Sequence, residues 1–150
     1  MSQPARGYAQ FVEIRQPPER VFAAFADARE LQGWYATEAS VEPRRGGRLR
    51  VKLGNGRVRD ATIDVWEPGR RLRLIYMPDP TLPASATGPI VEDVLFDVKP
   101  GLTVVRVLGN GVPGEREWDT HFLALRRGWA FWLHSLKKYL EGTPAPERGA

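Results

Sequence analysis

The stretch from Trp118 to Gly142, WDTHFLALRRGWAFWLHSLKKYLEG, holds three of the chain's five tryptophans. Stepped at 100° per residue, Trp118, Phe122, Leu125, Trp129, Trp132, Leu133, Leu136 and Leu140 share one side, while Arg127, Ala130, His134, Ser135, Lys137 and Lys138 lie mostly away from it. A helix from about Glu115 to Glu141 would span about 40 Å at 1.5 Å per residue. Acidic residues at its start, Lys137 and Lys138 near its end and Gly142 in the C′ position all suit the dipole and capping rules. Against another short helix, much of this aromatic stripe would stay wet; a strongly curved antiparallel sheet can wrap it. Each fully buried ring contributes about 1.5 to 3 kcal/mol relative to exposure, so the helix is expected to be essential to folding. Phe131 falls on the far side. An isolated exposed Phe is ordinary, and a homodimer contact is the alternative, so the expected state is a monomer or a weak homodimer.

The rest of the chain supplies such a sheet. YAQFVEIRQ (8–16) reads as a first strand, with Val12 and Ile14 on one face, Glu13 and Arg15 on the other, and Phe11 breaking the alternation. Pro17 and Pro18 suit a helix's first turn, and Val21, Phe22 and Phe25 mark its apolar face. Asp27 as N-cap with Glu30 three residues on starts a second short helix in the manner of a capping box, with Gly33 as its stop. Four strands are then expected over about 37–43, 48–53, 57–66 and 71–77, punctuated by PRRGG, GNG and EPGR, of which GNG marks a tight hairpin. Leu49, Val51 and Leu53 oppose Arg48, Arg50 and Lys52, and Leu72, Leu74 and Tyr76 oppose Arg71 and Arg73: one sheet face is dry and one is wet. IVEDVLFDV and LTVVRVLGNGV form a last hairpin around KPG. Between them, MPDPTLPASATGP (77–89) is an irregular loop, read either as a lid over a pocket or as a plain exposed connection.

At 150 residues the chain fits one domain, over 8–141, with flexible termini at 1–7 and 143–150. No cysteine is present, which removes disulfides, thiolate nucleophiles and thiolate metal sites together. No stretch approaches the ~18 apolar residues of a membrane span, and the first residues lack an apolar secretory core, so the expectation is a soluble, unexported, cytoplasmic protein. The net charge of +4 rests on 22 Lys and Arg. They alternate with apolar residues in RLRVKL and RRLRLIY, which is the pattern of a solvated strand face, and no aromatic stacking platform accompanies them; a nucleic-acid partner is not expected.

Several stretches together resemble a known family. The order strand, two short helices, antiparallel strands and long C-terminal helix is similar to the α+β helix-grip fold of START-like (SRPBCC) proteins. PPERVFAAFADARELQGWY, VEPRRGGRLRV, EPGRRLRLIY and RRGWAFWLHSLKKYL resemble, in that order, the motifs of the branch named for homology to the activator of the heat-shock protein 90 ATPase. Trp34 and Tyr35 stand where two Trp are common, and Tyr76 where Trp is usual. The 77–89 loop is longer than the family's, and LGNGV replaces a frequent polar group at the end of the last strand.

The resemblance implies a curved sheet gripping the helix, with a cavity between them where relatives hold lipids, polyketides or other apolar molecules. The implied lining is Trp34, Leu49, Val51, Ile63, Leu74, Tyr76, Val94, Phe96, Phe122, Leu125 and Trp129, residues that in a solid interior would simply interdigitate as core. Polar groups to orient a ligand would be Tyr76, Glu92 and His121. Non-catalytic binding of a small apolar or aromatic molecule is the leading expectation; a chaperone-partner role and a cyclase-like enzyme are the alternatives. No cofactor or metal is expected. His121 and His134 lie about 220° apart around one helix and cannot share an ion. Glu92, on the inward face with Phe96, is either a general base or, as is more ordinary, the partner of an Arg. GNG sits in a hairpin and not between strand and helix, so nucleotide binding lacks support.

Overall fold

The computed structural model describes residues 4–85 and 88–142. In chain order it contains β1 (Arg6–Ile14), α1 (Pro18–Ala26), α2 (Ala28–Trp34), β2 (Glu38–Val41), β3 (Arg48–Lys52), β4 (Val58–Glu67), β5 (Arg71–Tyr76), β6 (Val91–Lys99), β7 (Leu102–Val112) and α3 (Asp119–Glu141). The strands form one antiparallel sheet in the order β1-β7-β6-β5-β4-β3-β2. Register shifts between Arg6 and Tyr8 on β1, and between Ile63 and Val65 on β4, are the irregularities that bend strands and increase twist. The curved sheet carries α3 and the two short helices on its inner face, which is the expected helix-grip arrangement.

The two faces divide as alternation predicts. Leu49, Val51, Ala61, Ile63, Leu72, Leu74, Val94, Phe96, Val105 and Val107 point inward and are buried. Outward, Arg48 pairs with Asp60, Arg71 with Asp93, Arg73 with Asp64 and Arg106 with Asp97. These basic residues are matched by carboxylates across the strands, so the basic strands carry no unbroken positive stripe. Exposed pairs of this kind contribute roughly 0 to 1 kcal/mol each; the inner face supplies the stability.

From α3, Leu125, Trp129, Leu133, Leu136 and Leu140 are buried, Phe122 and Trp132 half-buried, and Phe131 is 66% exposed. Edge-to-face contacts then link Phe22 to Trp66 and Phe96, Phe25 to Trp34 and Phe96, and Trp129 to Trp132, with Trp34 stacked on Tyr35. Such pairs add about 0.5 to 1.5 kcal/mol each beyond the area they bury. The helix is shorter than its periodicity suggests: Arg116–Trp118 form a 3-10 turn, and α3 proper starts at Asp119. Arg6 fixes this corner, donating to the Pro113 carbonyl (2.8 Å) and to Asp119 (2.7 Å) with its guanidinium over the Phe122 ring. β1 accordingly begins at Arg6 and not at Tyr8. Residues 1–3 and 143–150, within the termini expected to be flexible, lie outside the described residues.

Two local expectations change. Asp27 caps α2 as expected, its Oδ1 accepting from the Arg29 and Glu30 amides. Glu30 does not close a capping box; it accepts from Arg20 (2.9 and 3.0 Å) and from the Tyr139 hydroxyl, joining α1 and α3. Gly33 does not end α2, which runs to Trp34; a Cβ there would come within 2.5 Å of the Tyr139 ring, so glycine at this point lets α3 approach.

The C-terminal end of β1's free edge is tied to α3. Lys137 Nζ donates to the Glu13 carbonyl, the Arg15 amide donates to Glu141 (2.7 Å), and Gln16 donates to the Leu140 carbonyl (3.0 Å). In the first two of these, side chains of α3 take up backbone groups that this end of the sheet edge would otherwise present to another strand.

Candidate functional site: a lateral cavity beside a buried ion pair

Inward alternation on β4 and β6 delivers two opposite charges to the dry face. Arg59 precedes Ala61 and Ile63 in the inward set of β4, and Glu92 precedes Val94 and Phe96 in that of β6. Glu92 is 0% exposed. Arg59 grips it with two donors, Nη1 to Oε1 (3.2 Å) and Nη2 to Oε2 (2.9 Å), and Nη1 also donates to the Tyr35 hydroxyl (2.8 Å). Tyr76 donates to Oε1 (2.6 Å), and Trp129 Nε1 (2.7 Å) and the Tyr8 hydroxyl donate to Oε2. The carboxylate therefore meets five donor contacts. Tyr8 reaches it because Gly109 stands opposite on β7, where a Cβ would fall inside the Tyr8 ring.

Burial by itself pushes the Glu92 carboxyl up, but Arg59 and the surrounding donors hold it below its ordinary value. Burial and the neighbouring carboxylate raise the Tyr8 and Tyr76 phenols, and burial foremost pushes Tyr35 up to about 12. Across neutral pH the group is one carboxylate, one guanidinium and three neutral phenols. An ionised carboxylate already saturated with donors is poorly placed to accept a proton from a substrate; pairing with Arg is the outcome here.

Beside this cluster lies a cavity of about 810 Å³. Its walls are the β3–β4 hairpin (Leu53, Arg57), the facing ends of β4 and β5 (Val58, Arg59, Ile75, Tyr76), the described residues of the following loop (77–85 and 88–90), and one side of α3 with the turn before it. Trp118, His121, Ala124, Leu125 and Trp132 close the helical side. Among the described residues of the 77–90 segment, Leu82 and Ile90 pack on the core, and Asp79 is tied to Arg57 (3.1 Å) across the cavity's rim. The described residues of this loop, 77–85 and 88–89, contribute to the wall of the cavity.

Of the residues expected to line a pocket, Tyr76, His121 and Leu125 do so. Trp34, Leu49, Val51, Ile63, Leu74, Val94, Phe96 and Trp129 are buried in the core beside it, Phe122 lies half-buried under Arg6, and Glu92 is sealed behind Arg59 and Tyr76. These side chains interdigitate where helix and sheet pack in contact, and the cavity opens to one side of that contact. Arg59, Trp118 and Trp132 are the lining that sequence reasoning missed, whereas the 77–89 loop was named as one of two readings. The signal for Arg59 was present, since an Arg in phase with Ala61 and Ile63 on a dry face requires a buried partner.

His121 is held down to about 4 from its ordinary 6.5, first by burial and then by Arg57 and Arg59. It makes no hydrogen bond among the described residues and meets the Trp118 ring edge-on at 5.8 Å. Because the folded chain resists protonating this imidazole while the unfolded chain does not, stability is full above pH 6.5 and falls as pH drops toward 4. His121→Gln is expected to flatten the part of the melting-temperature profile between pH 6.5 and 4.5, measured by thermal unfolding of both proteins across that window. Among the described residues no group of three His, Cys, Asp or Glu is placed to hold a metal ion, and no helix is long and apolar enough to cross a membrane.

A curved seven-stranded sheet gripping one long helix, preceded by two short helices after the first strand, defines a START-like (SRPBCC) domain. A family model described as Activator of Hsp90 ATPase homolog 1-like protein matches residues 15–141, and the chain belongs to this family. Among solved structures, it is similar to protein MLL2253 from Mesorhizobium loti (20% identity over 93% of this chain and 100% of that one, TM-score 0.78). It is similar also to the Aha1 dimer from Colwellia psychrerythraea (20%, 91% and 96%, TM-score 0.77) and to CalU16 from Micromonospora echinospora (20%, 95% and 79%, TM-score 0.71). At these identities the likeness is one of fold. Comparison with curated proteins finds no match.

Proposed function

We propose that this chain binds a small apolar or aromatic molecule in the cavity between the β4–β5 end of the sheet, residues 77–85 and 88–90, and α3, without covalent chemistry. The observation that carries this reading is the composition of the walls: Trp118, Trp132, Tyr76, Leu82 and Ile90 surround a volume of about 810 Å³ with few polar groups. Small-molecule sites span ~300 to 1,000 Å³ with mostly apolar walls and a few placed polar groups. Arg59, Tyr76 and His121 are those polar groups here. Glu92 acts behind them, by holding Arg59 and Tyr76 in place. Native mass spectrometry of protein purified without denaturant is expected to show a retained small molecule, and apolar aromatics are expected to raise the melting temperature. A bare mass together with an unmoved melting point across such compounds would remove the reading.

A second reading, action on a chaperone ATPase as a monomer or weak homodimer, is favoured by the family match alone. It predicts a changed ATPase rate of a heat-shock protein 90 partner at saturating protein.

A further inference from the structure

We infer that the molecule held in this cavity is electrically neutral and presents a carbonyl-type oxygen to Arg59, an inference that rests on the binding reading above. Among the described residues four charged side chains line the cavity, Arg57, Arg59, Asp60 and Asp79, and each is already matched: Arg57 and Asp79 by one another (3.1 Å), Arg59 by Glu92 (2.9 Å) and Asp60 by Arg48 (2.5 Å). His121 is uncharged near neutrality. An anionic ligand brought against Arg59 would gain the guanidinium's attraction but meet the repulsion of Glu92 on the same group. The repulsion offsets a large part of that attraction, so the cost of stripping water from the anion is only partly compensated. A cationic ligand would meet Arg57 and Arg59 on the cavity wall, while the carboxylates there, Asp60 and Asp79, are already paired with Arg48 and Arg57, and Glu92 is sealed behind Arg59 and Tyr76.

A neutral acceptor faces neither cost. Arg59 has five N–H donors, of which two on Nη1 and one on Nη2 are used by Tyr35 and Glu92. The Nε–H and the second Nη2 hydrogen meet no acceptor among the described residues. The guanidinium is held by those bonds and by the Tyr76 and Trp132 rings, 4.1 and 5.8 Å from its carbon, so its remaining donors are pre-aimed. A carbonyl oxygen accepts hydrogen bonds without adding net charge, and the flat rings of Trp118, Trp132 and Tyr76 suit an aromatic or conjugated body beside it. Arg59 thus selects among apolar molecules by their oxygen while its charge stays committed to Glu92.

Displacement of the neutral fluorophore N-phenyl-1-naphthylamine from the full chain at pH 7.5 tests this with three compounds of one shape. 2-Acetylnaphthalene is expected to compete best, naphthalene less well, and 2-naphthoate at least about tenfold more weakly than the ketone, as befits a buried charge only partly compensated. In Arg59→Lys, which keeps the charge opposite Glu92 but not the fork of donors, the advantage of the ketone over naphthalene, measured within that one variant, is expected to shrink toward one. The series on the unaltered chain decides the matter even if that variant does not fold. Competition by naphthoate equal to or better than the ketone would overturn the inference and leave the binding reading standing. Failure of the fluorophore and all three compounds to bind would overturn both.

Discussion

Replacing Glu92 with Leu is expected to lower the melting temperature by roughly 10 °C, and Arg59→Met by a similar amount. Either change strands a buried charge, at a cost of about 3 to 5 kcal/mol, and each kcal/mol moves a domain of this size by about 2 to 4 °C. Loss of Glu92 also leaves Tyr8, Tyr76 and Trp129 without the acceptor they share. The double change removes both charges together and is expected to recover a large part of the loss, because a well-packed apolar replacement of a buried pair is often neutral or stabilising. Thermal unfolding of the four proteins closes the cycle. Additive losses in the double variant would mean that the two charges do not depend on each other, and single losses under about 2 °C would mean that the cluster contributes little to folding.

Ala124→Trp is expected to abolish binding in the cavity while leaving the fold intact. Ala124 sits on the cavity wall of α3, is exposed, and needs no repacking of the core to accept a larger side chain. The change in helix propensity costs only about 0.5 kcal/mol, so the melting temperature should move by no more than ~2 °C. An indole there would occupy the space that a ligand's ring needs. Affinity for N-phenyl-1-naphthylamine should fall by more than about thirtyfold, a loss of roughly 2 kcal/mol. Undiminished binding with an unchanged melt would place the ligand elsewhere.

The contrast between these two variants reflects what could be read from the residues. The alternation in RLRVKL and the heptad-like stripe from Trp118 to Leu140 are periodic signals, and periodicity reports which face is dry; the sheet, its register of inward residues and the gripping helix follow from it. Whether dry faces touch or stand apart depends on curvature accumulated over seven strands and on two register shifts that no single segment announces. Leu49, Val51, Ile63 and Val94 were therefore legible as inward but not as core instead of lining. The site's centre was half legible. Glu92 stood out as an inward carboxylate, whereas Arg59 passed as one more cation in RVRDATIDVW, although its phase with Ala61 and Ile63 marks it as inward. Gly33 illustrates the opposite error: read locally it stops a helix, and only the Tyr139 ring arriving from the other end of the chain explains it.

The covered margin of β1 limits how two copies of this chain can associate. With Glu13 and Arg15 already engaged by Lys137 and Glu141, a second molecule cannot extend the ladder there unless its host first peels the terminal helix away. The opposite margin, β2, offers only four residues, Glu38–Val41. A continuous fourteen-stranded ribbon built through the full length of β1 would have to displace the same helix that completes the core, and one built through β2 would rest on four residues.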